Sequence, residues 1–233
     1  MITGSDIPFA LPDLDALLRE ELARVPHHAA RLPAGRALVV QACAANRSLP
    51  VDTRHLGAIR LHADQDVLRG DVLCSANAMP WEDDAFRLVL VQHAGVHGSD
   101  ANGMIDECAR VLAPGGTLLW FGLNPWSPSR AWIHWQARSG MPLPRVAHAD
   151  TLRRRMHGVH LSTAALEYFG TCWPRAGVLE SLHRHPLMSA FRSAYLICAS
   201  KQRSVLTPLR PRFARERSAI RPQLATPSRR ASA

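Results

Sequence analysis

His93 and His97 are the first residues whose type and spacing suggest chemistry. A His-x-x-x-His spacing puts two imidazoles on one face of a helix, where they can hold a zinc ion. No third ligand is evident, so no metal site is expected. His93 also follows the strongest apolar run of the chain, Phe86–Gln92. A histidine at the end of a buried strand is placed to face a ligand and to act as a base, which makes His93 the candidate catalytic residue. Five cysteines are scattered without a CxxC pair, and Cys43, Cys74, Cys108 and Cys198 lie in or beside apolar runs, the setting of buried thiols. There is no Gly-x-x-x-x-Gly-Lys phosphate loop and no nucleophile-plus-base triad. Gly-x-Gly-x-x-Gly after the first strand and a Tyr-x-x-x-Lys pair are both missing, which argues against a nicotinamide-dependent oxidoreductase.

The elements that must position these residues alternate. Pro12–Val25 has Leu14, Leu17, Leu18, Leu22 and Val25 at helical spacing, with Asp13 able to cap the start. Arg36–Gln41 is a short apolar run that suits a strand buried on both faces. Ala58–His62 alternates as a second strand, and Asp71–Cys74 forms a short third. Phe86–Gln92 is the clearest strand. Ser99–Leu112 follows as a helix with Met104, Ile105, Cys108, Val111 and Leu112 on one face, ended by Ala113-Pro-Gly-Gly116. Thr117–Gly122 is again a buried strand, so the unit is βαβ and its strands are parallel. Asn124–Ala147 reads as a loop with a short helix, in which Asn124 and Trp126 could line a pocket. Asp150–His157 reads as a helix, and His160–Phe169 with Phe191–Ala199 as an antiparallel hairpin at one sheet edge.

Residues 79–126 carry a recognisable pattern: Met79-Pro-Trp, a run of acids, Phe86–Gln92, then Arg110-Val-Leu-Ala-Pro-Gly-Gly116 and Gly122-Leu-Asn-Pro-Trp-Ser127. This resembles the class I S-adenosylmethionine (SAM)-dependent methyltransferases of the type 11 family, within it a bacterial subgroup with a degenerate glycine-rich loop. The resemblance implies a Rossmann-like α/β fold: a mostly parallel seven-stranded sheet with an antiparallel edge strand and helices on both faces. It implies SAM beyond the carboxyl ends of the first strands. The family's first strand ends in an acid and a Gly-x-Gly loop; here Gln41 stands in the acid's place, and Cys43 and Ala45 stand in those of the glycines. The ribose acid falls to Asp64, with Asp66 second. The adenine side falls to Ser75, Ala76 and Asn77, because Asp71 sits too early. Gln92 joins them from the strongest strand. Each added Cβ takes space a ligand needs, and an amide supplies no carboxylate for the cofactor's amino group.

The net charge of +9 is uneven. Residues 201–233 hold nine Lys/Arg and one acid, for +8, which leaves 19 basic and 18 acidic residues, or +1, in residues 1–200. Residues 1–200 are therefore expected to form one methyltransferase-like domain, with its core at about 34–125 and its hairpin part at about 150–200. Residues 201–233 are expected to be a disordered basic tail able to touch nucleic acid or anionic surfaces. No membrane span or secretory signal is expected, and a cytoplasmic location follows. Two functions fit: a SAM-dependent methyltransferase of unknown acceptor, or a non-catalytic scaffold on the same fold that has lost the cofactor and binds a protein or RNA.

Overall fold

The computed structural model describes residues 9, 11–64, 67–94, 101–137, 146–171 and 191–202. Asp66, His97, Cys172 and the tail from 203 onward lie outside the described residues. The elements run α1 (Pro12–Leu22), α2 (Val25–Ala29), β1 (Arg36–Gln41), β2 (Gly57–Asp64), β3 (Val67–Gly70), β4 (Cys74–Ser75) and β5 (Phe86–Gln92). Then follow α3 (Ala101–Val111), β6 (Leu112–Leu123), α4 (Ser129–Ala137), α5 (Ala149–Gly158), β7 (Leu161–Phe169) and β8 (Ala194–Lys201).

The strands form one sheet in the order β4-β3-β2-β1-β5-β6-β8-β7. β2, β1, β5 and β6 are parallel neighbours, so the apolar runs Arg36–Gln41 and Phe86–Gln92 sit in the middle of the sheet, buried on both faces as expected. Alternation along each strand splits the core in two. Val39, Leu88, Leu90, Leu119 and Phe121 point to the face covered by α1, α2 and α4. Leu38, Val40, Val89, Val91, Leu118 and Trp120 point to the face covered by α3 and α5. The closing hairpin is present: β8 runs antiparallel to β6, and β7 lies antiparallel to β8 at the edge.

The sheet has eight strands, against seven expected, and the difference lies at the other edge. Asp71–Leu73 is not a strand. Val67–Gly70 turns back antiparallel on β2, and Cys74–Ser75 pairs with it in turn. Asp71 is spent on locking this hairpin, accepting hydrogen bonds from the Arg60 backbone N–H (2.7 Å) and from Arg47 Nη2 (3.0 Å). Gly70, at φ 154, allows the close approach to the Arg60 carbonyl that this lock requires. The β1–β2 crossover carries only a 3-10 turn, Ala44–Ser48, where a helix is usual. α1 also differs in detail: its N-cap is Leu11, with no side-chain cap, and Asp13 instead lies in the first turn.

The thiols behave as small hydrophobes. Cys43 and Cys108 are buried, and burial pushes the Cys108 thiol up to about 12.

Two measurements test this architecture. Gly122 of β6 faces Tyr195 of β8, and a Cβ there would enter the tyrosine ring. Gly122→Ala should lower the unfolding free energy by about 1–3 kcal/mol in urea titration, the usual cost of overpacking. Arg110 ties the α3 end to the preceding loop through Glu107, Asp83 and the Met79 and Trp81 carbonyls. Its hydrogen bond holds the Glu107 carboxyl below the ordinary 4.5. A depressed carboxyl contributes stability that is present above the unfolded value and is lost as pH falls through the folded one. Glu107→Gln should therefore flatten the acid limb of the stability–pH curve below about 4.5, with little change between the two proteins' slopes at neutral pH.

Candidate functional site at the carboxyl ends of β1 and β5

Parallel pairing brings the carboxyl ends of β1, β2 and β5 side by side. Gln41 pairs in register with Gln92 and with His62, and Asp64 follows His62 by two residues. The strand ends expected to share a crevice do share one. Their side chains, however, face each other and not an open space.

Gln41 and Gln92 are both 0% exposed. Gln41 Nε2 donates to the Asn46 carbonyl (2.9 Å) and to Gln92 Oε1 (3.3 Å). Gln41 Oε1 accepts from Arg60 Nη2 (3.1 Å), and the same guanidinium nitrogen donates to the Leu49 carbonyl (2.8 Å). Gln92 Nε2 donates to Glu21 Oε2 (2.7 Å) and to the Leu18 carbonyl (3.2 Å). Glu21 Oε1 meets His93 Nε2 at 2.8 Å, with both side chains fully buried. A carboxylate accepts only, so the proton of this contact is assigned to Nε2. His93 Nδ1 has no partner among the described residues.

The remaining wall comes from the N-terminal segment and the 3-10 turn. Phe9 stacks on the His93 ring at 4.4 Å and 15°. The Phe9 carbonyl accepts from Asn46 Nδ2 (3.1 Å), while Asn46 Oδ1 lies 2.9 Å from Cys43 Sγ. His93 itself is at φ 54, left-handed backbone that non-glycine residues visit sparingly. On the far side of His93, Trp120, Leu123, Ala147, Leu152 and Tyr195 line a cavity of about 20 Å³, room for one water.

The other expected contacts are placed as follows. Cys43 is in the wall, with its sulfur engaged. Ala45 is exposed on the 3-10 turn, away from the buried amides. Asp64 stands at the end of β2, but its carboxylate is paired to Arg69 across the hairpin at 2.6 Å. Ser75 is exposed on β4, with β3 and β2 between it and β1, roughly 14 Å across three strand spacings. Ala76 is packed in the core on the α3 side, and Asn77 lies against Gly103 of α3. The hairpin in place of a crossover is what carries Ser75 away from Gln41. Asn124 and Trp126 follow β6, with Asn124 buried and Trp126 71% exposed. Among the described residues no cluster could hold a metal ion, and no helix is long and apolar enough to cross a membrane.

Glu21, Phe9, Arg60 and Asn46 are the members not foreseen. One signal was present for Glu21: it lies between Leu17, Leu18 and Leu22 on the apolar stripe of α1, where an acid needs a buried partner.

Comparison with solved structures places this architecture. A SAM-dependent methyltransferase from Archaeoglobus fulgidus superposes with a TM-score of 0.57 at 14% identity, over 79% of this chain and 93% of that one. A Haloferax volcanii protein solved in complex with the Trm112 methyltransferase activator gives 0.52 at 16%, over 82% and 96%. A SAM-dependent methyltransferase from Thermotoga maritima gives 0.50 at 15%, over 83% and 92%. The fold is that of the class I methyltransferases. Residues 35–120 match the methyltransferase domain family, a stretch from the start of β1 into β6. No curated protein matches the chain.

Against this methyltransferase fold the cofactor can be tested for fit. Both Gln41 N–H groups are committed, its oxygen is taken, Gln92 is saturated, and neither amide is exposed. The residues present do not fit SAM in this conformation. Restoring the family's acid provides a test. Gln41→Glu would set a carboxylate against the Gln92 oxygen and the Asn46 carbonyl, acceptor facing acceptor. Unfolding free energy should fall by about 1–3 kcal/mol. A fully stable variant would show that the amides do not order this site.

Proposed function

We propose that this chain uses the methyltransferase fold as a non-catalytic scaffold. The reading rests on one observation: the strand ends that face the cofactor in the family it resembles are here saturated by side chains of the same chain, with Glu21 buried among them. Methyl transfer needs donor and acceptor held in line, and no step of that kind can be assigned to residues already bound to each other. Binding of a partner fits the charge distribution. A nearly neutral domain over residues 1–200 carries a tail, 201–233, of +8, which complements RNA or an acidic protein surface.

A second reading is that of a SAM-dependent methyltransferase whose acceptor is open. The domain match favours it, because residues 35–120 include β1, β2 and β5, the strands that face the cofactor in the family. In that case the segment from Phe9 through α1 has to leave Gln92 and His93 before the cofactor enters, and His93 becomes the base candidate.

Calorimetric titration of the full chain with S-adenosylhomocysteine separates the two. The scaffold predicts no heat of binding up to about millimolar ligand, whereas an affinity near micromolar, about 8 kcal/mol, would establish the enzyme.

A further inference from the structure

Exposed aromatic side chains gather at one end of the sheet. Trp126 is 71% exposed, Trp135 63% and Phe191 46%. Scattered exposed hydrophobics are ordinary, but these three are joined by a built framework. Trp126 sits in the turn after β6, its N–H donating to Asn124 Oδ1 (3.1 Å), while Asn124 Nδ2 donates to the Arg192 carbonyl (2.8 Å), next to Phe191. The Asn124 N–H donates to the Ser193 carbonyl (2.8 Å), and the hydroxyls of Ser129, which opens α4, and Ser193 meet at 2.7 Å. α4 buries Ser129, Trp132 and Ile133 and turns Arg130, Ala131 and Trp135 outward. The turn, the helix and the Phe191 segment are thus held to one another at the carboxyl end of β6.

The charge around this face has one sign. Residues 108–149 contain no Asp or Glu and carry Arg110, Arg130, Arg138 and Arg145; residues 181–201 contain none and carry Arg184, Arg192 and Lys201. Every acid of the chain falls outside the two segments that meet here. Tryptophan is the side chain that settles at the level of lipid headgroups, and arginine pairs with their phosphates. A protein partner of ordinary mixed charge would call for acids as well as bases along such a rim. No described helix crosses a membrane, so any membrane contact made here is peripheral.

We propose that the Trp126–Trp135–Phe191 face is a docking surface for an anionic lipid bilayer. The ring bodies enter the interface and Arg130 meets the phosphates. This surface is independent of whether the β1–β5 crevice takes a cofactor.

The test is vesicle flotation of the full chain at about 0.15 M salt, with phosphatidylcholine alone and with about one third phosphatidylglycerol. The wild type should float with the anionic vesicles and stay down with the neutral ones. Trp126→Ser/Trp135→Ser/Phe191→Ser should lose at least about ten-fold in partitioning, with an unchanged melting temperature because all three side chains are exposed. Arg130→Glu, a single exposed change, should weaken flotation in the same direction. Failure of the wild type to float with anionic vesicles overturns the proposal. So does equal flotation of the triple variant, which would assign binding to the basic residues beyond 202. Concentration-dependent dimers that the triple variant abolishes, without vesicle binding, would make the face a contact between copies and also overturn it.

Discussion

A carboxylate with no exposure to water must be supplied with donors, and Glu21 is in that position. Its two oxygens are met by Gln92 Nε2 and His93 Nε2, both from the end of β5, while Glu21 itself comes from α1. Burying such a group without partners would cost several kcal/mol, so the placement of α1 over β5 is coupled to both strand-end side chains at once. Leu14, Leu17, Leu18 and Leu22 bring the apolar surface that drives the docking. The carboxylate fixes its register, because sliding the helix along the sheet would strand both oxygens. Phe9, stacked on His93, extends the same cover by one more contact.

That cover is compatible with the fold because the opposite wall has thinned. The β1–β2 crossover is reduced to a 3-10 turn, and β2 turns back into a hairpin in place of a helical crossover. Arg60 on β2 therefore reaches Gln41 beneath a short loop and finds the Leu49 carbonyl there. Asp71, which sequence spacing had already placed too early for an adenine contact, is used to hold the hairpin. The Asp64–Arg69 pair on its surface, with both side chains over a third exposed, contributes at most about 1 kcal/mol. The central βαβ unit, by contrast, is of ordinary design, and the family match stops within β6, at its end.

Much of this was legible from periodicity. β1, β5 and β6 are continuous apolar runs, and a run buried on both faces has to lie mid-sheet whatever else the chain does. The β7–β8 hairpin was legible for a related reason, as two late apolar segments with no helix pattern between them. β3 and β4 were not. Val72 and Leu73 make Asp71–Cys74 look like a strand, yet they are 36% and 63% exposed and merely join two short strands. At the site, the strand-end positions Gln41, Asp64 and Gln92 followed from register, because parallel strands align their carboxyl ends. The residues that close the crevice did not, since Glu21 meets partners 71 and 72 residues away and no local pattern encodes such a contact. An acid on a leucine stripe announces that a partner exists and not which one.

The replacement of the family's strand-end acid by Gln41 has a physical reason in this setting. The hydrogen bonds run in one direction from a cation to an anion: Arg60 donates to Gln41, Gln41 to Gln92, and Gln92 to Glu21. Each carboxamide accepts on one side and donates on the other, so the dipoles align and strengthen one another in a low-dielectric interior. Only an amide can occupy the middle of such a chain. A carboxylate at position 41 could still take the Arg60 hydrogen bond, but it would present a second acceptor to Gln92. Were Gln92 to turn its amide to meet it, its oxygen would face Glu21. Two buried acids joined by one glutamine cannot both be satisfied, whereas one acid, two amides and one guanidinium can. The missing acid, the side chains in place of glycines and the buried Glu21 are therefore parts of a single packing solution, in which the N-terminal helix takes up hydrogen-bonding capacity at the strand ends.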